Sequence, residues 1–89
     1  MSDNIIVIRG TVTHLKGAGA SDKASVFLTS VTDNTLVEEI YPDADGGFRA
    51  EVSNEIPYSI QAQIKTFKSA VFFIPKKVRS VYLDLHIHN

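Results

Sequence analysis

The dominant pattern along the chain has a period of two. Ile6, Ile8, Gly10 and Val12 alternate with Val7, Arg9, Thr11 and Thr13. Phe48, Ala50 and Val52 alternate with Arg49, Glu51 and Ser53, and Tyr58, Ile60, Ala62 and Ile64 with Ser59, Gln61, Gln63 and Lys65. Val81, Leu83, Leu85 and Ile87 alternate with Tyr82, Asp84, His86 and His88. Successive side chains of a strand point to opposite faces, so each run carries one buried and one wet face. The pattern predicts seven strands, near 5–14, 24–31, 35–41, 47–53, 58–66, 69–74 and 80–88. Between them lie turn signals: a small-residue loop from Gly17 to Asp22, Asp33-Asn34, Asp43-Ala44-Asp45-Gly46-Gly47, and Pro75-Lys76-Lys77. No segment has ten residues of helical period. Short strands at this spacing predict an all-β sandwich of two sheets, because a single sheet would leave its apolar face in water.

At 89 residues the chain has room for one domain, residues 1–89. A domain of this size buries roughly 60–65% of its unfolded surface, so its stability margin is thin. There is no cysteine, which excludes disulfides, thiolate metal sites and a cysteine nucleophile. The formal net charge is −1, so no whole-chain basic field for nucleic acid exists. No apolar stretch approaches the roughly 18–20 residues of a membrane span, and Ile5 to Ile8 is too short for an export signal. The expectation is therefore synthesis and retention in the cytoplasm, with neither nucleic acid nor membrane as partner.

The motifs Ile8-x-Gly10-x-Val12, Ala24-x-Val26-x-Leu28 and Asp43-x-Asp45-Gly46-Gly47-Phe48 together resemble the pattern of the carboxypeptidase regulatory-like domains. Tyr58-x-Ile60 and Val81-x-Leu83-Asp84-Leu85 extend the likeness over nearly the whole chain. The Pro-Gly-x-Tyr turn of that family is reduced here to Pro57-Tyr58. The resemblance implies a transthyretin-like (prealbumin-like) Greek-key β-sandwich of seven strands, close to the immunoglobulin-like type. It also implies a non-catalytic accessory module, and no peptidase activity carries over.

Candidate chemistry is sparse. His86-x-His88 places two imidazoles on one outward strand face, where they could share a zinc or copper ion with His14 or Asp84. Outward polar residues are also what a solvent face requires, so no metal or other cofactor is expected. The Asp43–Gly46 segment resembles part of a calcium loop, but the frame would put Tyr41 and Val52 at oxygen-ligand positions. A hairpin turn is the better reading. No serine elbow, phosphate loop or carboxylate pair stands out, so the chain is not expected to be an enzyme.

Charge and greasiness say more. Residues 33–55 carry seven acids against one base, and residues 65–79 carry five bases and no acid. Such bipolarity either steers association or is cancelled by pairing between adjacent strands. Ile5-Ile6-Val7-Ile8 and Ala70-Val71-Phe72-Phe73-Ile74 are apolar on both faces, whereas an antiparallel sandwich strand needs only one. The expected interface is Ile5, Val7, Phe27, Phe72 and Ile74, flanked by Lys76, Lys77 and Arg79. The expected function is a structural or assembly module working by contact with a protein partner or with copies of itself. An accessory subunit of a larger particle, such as a phage virion's decoration, tail or collar protein, would suit it. The alternative is a carbohydrate- or surface-binding module, with outward Tyr41 and Tyr82 stacking on sugar rings.

Overall fold

The computed structural model describes residues 4–14 and 24–87, the side chain of His14 excepted. The small-residue loop and His88 lie outside the described residues. Eight strands form: β1 (Ile5–His14), β2 (Ser25–Ser30), β3 (Thr35–Ile40), β4 (Gly47–Ser53), β5 (Tyr58–Ile64), β6 (Phe67–Lys68), β7 (Phe72–Ile74) and β8 (Ser80–Ile87). They make two sheets. The first has the order β4-β1-β8, and the second β3-β2-β5-β6, with β7 also paired to β5. In the first sheet β1 runs antiparallel to β4 and parallel to β8. The chain is thus an all-β sandwich of two layers.

The period-two pattern explains the layers. Ile6, Ile8 and Val12 of β1 turn inward with Phe48 and Ala50 of β4 and Leu85 and Ile87 of β8. They meet Val26 and Leu28 of β2, Tyr58, Ile60 and Ala62 of β5, and Ile40 and Ile74. Gly10 occupies the remaining inward site of β1. It stands opposite Phe48 on one side and Leu83 on the other. The Phe48 ring folds over it, so that a Cβ there would lie 2.8 Å from Phe48 Cζ.

Where the sequence predicts one strand over 69–74, the structure has a strand at Phe72–Ile74 and a separate two-residue strand, Phe67–Lys68, ahead of the predicted start. Ser69 causes the break. Its N–H donates to Ala62 O (2.9 Å), while its buried Oγ accepts from Ala62 N (2.9 Å) and donates to Ala70 O (2.8 Å). The hydroxyl stands in for a ladder group and lets the backbone leave the sheet. Pairing resumes at Ile60↔Phe72, slipped by one residue from Gln63↔Lys68. A one-residue slip exchanges the two faces of a strand. Ile74 consequently points inward and is 2% exposed, and Phe73 points out.

The Asp43 turn is not a hairpin, because β3 and β4 belong to different sheets. It is a corner. The Asp43 carboxylate accepts from Asp45 N and Gly47 N (both 2.9 Å), and Gly46 supplies the positive φ of 84°. A second corner lies before β5. There the buried Tyr58 hydroxyl donates to Ser53 O at 2.6 Å, five residues upstream. Asn54 N donates to Asn4 O (2.8 Å), and Asn54 O accepts from Lys77 N (2.7 Å). This ties the corner to the start of β1 and to the β7–β8 loop.

Burial pushes the Tyr58 hydroxyl above its ordinary value of 10.0. The folded state therefore keeps this proton where the unfolded chain releases it. Stability attributable to Tyr58 is complete below about pH 10 and declines as pH rises beyond it. Tyr58→Phe should remove that part of the alkaline decline. It should also cost about 1–2 kcal/mol near neutrality, by leaving the Ser53 carbonyl without its partner. Urea titrations of both proteins at pH 7 and above pH 10 check this.

Candidate interaction surfaces

The residues proposed from sequence as one interface do not share a face. Ile5, exposed, and Val7, half-buried, lie on the outer face of the β4-β1-β8 sheet. Phe27 is half-buried on the outer face of the other sheet, across the sandwich. Phe72 packs against the core from its rim, and Ile74 is part of the core. Lys76, Lys77 and Arg79 are exposed in the β7–β8 loop, where Lys77 Nζ pairs with Glu55 Oε1 at 2.9 Å. The slip after Ser69 is the reason for the misplaced aliphatic. In an uninterrupted apolar run nothing in the sequence marks which side chains face inward.

Most of the exposed apolar side chains lie instead at the two edges of the β3-β2-β5-β7 sheet. Its register runs Leu36–Thr29–Ser59–Phe73 across one row and Glu39–Phe27–Gln61 across the next. At one end Leu36 is 55% exposed, beside exposed Val37 and Val31. At the other Phe73 is 62% and Val71 59% exposed. The middle of the face is polar.

Charge follows the same axis. Glu38 and Glu39 lie on β3, with Asp33 in the turn before it. Lys65 and Lys68 lie at the β5–β6 turn and on β6, at the far edge. Three strand spacings, roughly 14 Å, separate the edges. That exceeds the Debye length of about 8 Å at physiological salt, so these exposed charges hardly feel each other within one molecule. Pairing between adjacent strands therefore does not cancel the bipolarity. Lys77 and Glu55 form an ion pair between the acidic and basic segments. Arg49 and Glu51 pair within β4.

A groove of about 550 Å³ is bounded by outer-face residues of the other sheet, by Gly10 and Phe48, and by Ile40 and Tyr41 at the end of β3. Tyr41 and Tyr82, both exposed, line it together with Arg9, Thr11, Asp43, Gly47 and Arg49. Parallel pairing brings Tyr82 beside Arg9, and antiparallel pairing brings Arg49 to its other side. Tyr41 reaches the groove from the end of β3, at the Asp43 corner. A hydrogen bond to the Glu39 carboxylate, with the charge of that group, holds the Tyr41 hydroxyl above its ordinary value. Sequence reading names both tyrosines, but not the arginines between them. Their juxtaposition depends on long-range register, which alternation alone does not reveal.

His86 is on the outer face of β8, with Nδ1 2.6 Å from Thr13 Oγ1. Asp84 accepts from Thr11 Oγ1 at 2.7 Å. Among the described residues no three histidines or carboxylates gather as a metal site. No helix of the described residues is long and apolar enough to cross a membrane.

No family model and no curated protein matches the sequence. Among solved structures the chain is similar to chlorocatechol 1,2-dioxygenase from Pseudomonas putida, with a TM-score of 0.61 at 12% identity. The alignment covers 100% of this chain and 62% of the dioxygenase chain, less than two thirds of its length. At that identity the likeness is one of fold. It bears out a two-sheet β-sandwich and carries no activity.

Proposed function

We propose that the chain is a non-enzymatic assembly module acting by protein–protein contact, and that its first partner is another copy of itself. The observation that carries this is the layout of one sheet. Its acidic edge and its basic edge each bear exposed apolar side chains, and they lie too far apart to satisfy each other. An acidic edge on one copy and a basic edge on the next are complementary. Because the two surfaces differ, the contact is head-to-tail and can extend beyond a dimer. A module that adds along a line suits an accessory subunit of a larger particle, such as a phage virion.

Charged edge strands also protect sheets from indiscriminate pairing. A register irregularity between Leu28 and Thr29 further distorts the β2–β3 ladder. Both features disfavour a continuous backbone ladder between copies. They leave side-chain contact, selected by opposite charge, as the mode of association. The motif residues support the finer reading of a carboxypeptidase regulatory-like, transthyretin-like Greek-key sandwich. Gly10 lies under Phe48, Asp43 closes a corner and Tyr58 closes another.

Sedimentation velocity over a range of concentrations tests the proposal. The expected result is a mass that rises with concentration and falls back towards the monomer as salt shortens the Debye length to about 3 Å near 1 M. A monomer at every concentration in low salt would remove it.

A further inference from the structure

The groove on the β4-β1-β8 sheet is separate from the charged edges, and association does not explain it. Arg9 and Arg49 stand directly opposite each other on neighbouring strands. Like charges in that relation destabilise a sheet. Arg49 is neutralised by Glu51. Arg9 has no ion pair among the described residues, although it sits at the centre of its sheet with Tyr82 on its other side. The acids around the groove each have another partner: Glu51 pairs with Arg49, and the Glu39 carboxylate accepts from the Tyr41 hydroxyl. The Asp43 carboxylate accepts two backbone N–H groups of its own turn, and Asp84 accepts from Thr11. The floor is low, since Gly47 has no side chain opposite Thr11. A guanidinium without an ion pair, beside a second one and between two exposed tyrosines, can take a carboxylate that arrives from outside.

We infer that this groove binds a carboxylate-bearing sugar chain. Tyr41 and Tyr82 are the platforms for the sugar rings, and the Arg9 guanidinium is the partner of the carboxylate. A guanidinium presents parallel N–H donors that match a carboxylate in bidentate fashion. Tyrosine offers a broad apolar face with a polar tip, which suits a ring having one apolar face and hydroxyls at its rim. The volume of about 550 Å³ lies within the roughly 300–1,000 Å³ of small-ligand sites. An acidic peptide fits less well. Extended peptides gain affinity by adding a strand to a sheet edge. Here β1 is the central strand, with both of its edges already paired. Recognition must therefore come from side chains on the face.

Isothermal titration of the whole protein with oligogalacturonate, with a neutral oligoglucoside of similar length and with oligoglutamate tests this. The expected result is saturable binding of the oligogalacturonate. The neutral sugar should bind at least tenfold more weakly, and the peptide more weakly still. Arg9→Gln should lose at least tenfold in oligogalacturonate affinity. Tyr82→Ala should lose a similar amount, while Tyr82→Phe should keep most of it. Both positions are exposed, and unchanged thermal midpoints will show that the variants are folded. Three outcomes overturn the inference: no binding of oligogalacturonate, equal affinity for neutral and acidic sugars, or affinity unaltered in Arg9→Gln. Tighter binding of oligoglutamate also overturns it and assigns the groove to a protein. None of these outcomes bears on self-association, which is read separately by sedimentation.

Discussion

Gly10→Ala is expected to unfold the domain, or to leave it at least about 3 kcal/mol less stable. The added Cβ would fall into the Leu83 carbonyl oxygen and within 2.8 Å of Phe48 Cζ. The ring could turn away, but the carbonyl belongs to the backbone of the paired strand. It can move only if the β1–β8 pairing opens. That pairing joins the two ends of the described chain over eight register positions, Val7↔Ser80 to His14↔Ile87. A single methyl is thus set against the closure of a whole sheet. Net stability in a domain this small is a few kcal/mol, so such a loss is comparable with all of it. Thermal and urea unfolding, followed by circular dichroism, measure the effect. A variant within about 1 kcal/mol of the parent would show that the sheet yields more easily than its register implies.

The second large effect is expected at the basic edge. Phe73→Asp puts an acid where the most exposed aromatic ring of the apolar edge stands. The side chain has little folded-state packing to lose, so the unfolding midpoint should move by less than about 0.5 kcal/mol equivalent. Association should weaken by at least about 2 kcal/mol, roughly thirtyfold, as expected of a central aromatic anchor. Sedimentation and thermal melts on the same sample separate the two quantities. Loss of stability with unchanged association would assign Phe73 to the core of the sheet rather than to its contacts.

Much of the fold is legible in the sequence, because strict alternation is hard to satisfy any other way. The first, third, fourth, fifth and last strands begin where the pattern places them, and the inward set Ile6, Ile8, Phe48, Ala50, Tyr58 and Ile60 is buried. Alternation fails where the residues are uniform. The run from Ala70 to Ile74 contains no polar residue to fix its phase, and a single Ser69 hydroxyl decides which side chains face inward. Turn chemistry is similarly ambiguous. Asp and Gly mark a reversal at residues 43–47, but not whether it joins neighbouring strands of one sheet or crosses between two. The role of Gly10 is legible in the sequence, since glycine at an inward position of an apolar strand marks a close approach. The groove was beyond reach, because Arg9, Arg49 and Tyr82 become neighbours only through pairings spanning most of the chain.

Exchange of charge between the two edges tests the central claim most directly. One variant carries Glu38→Lys and Glu39→Lys, so that both of its edges are basic. The other carries Lys65→Glu and Lys68→Glu, so that both are acidic. Head-to-tail assembly through complementary edges predicts that each variant alone sediments as a monomer. An equimolar mixture should recover the mass of the parent protein, because every contact then joins unlike edges. A mixture no heavier than its components, or either variant assembling alone as readily as the parent, would contradict the account.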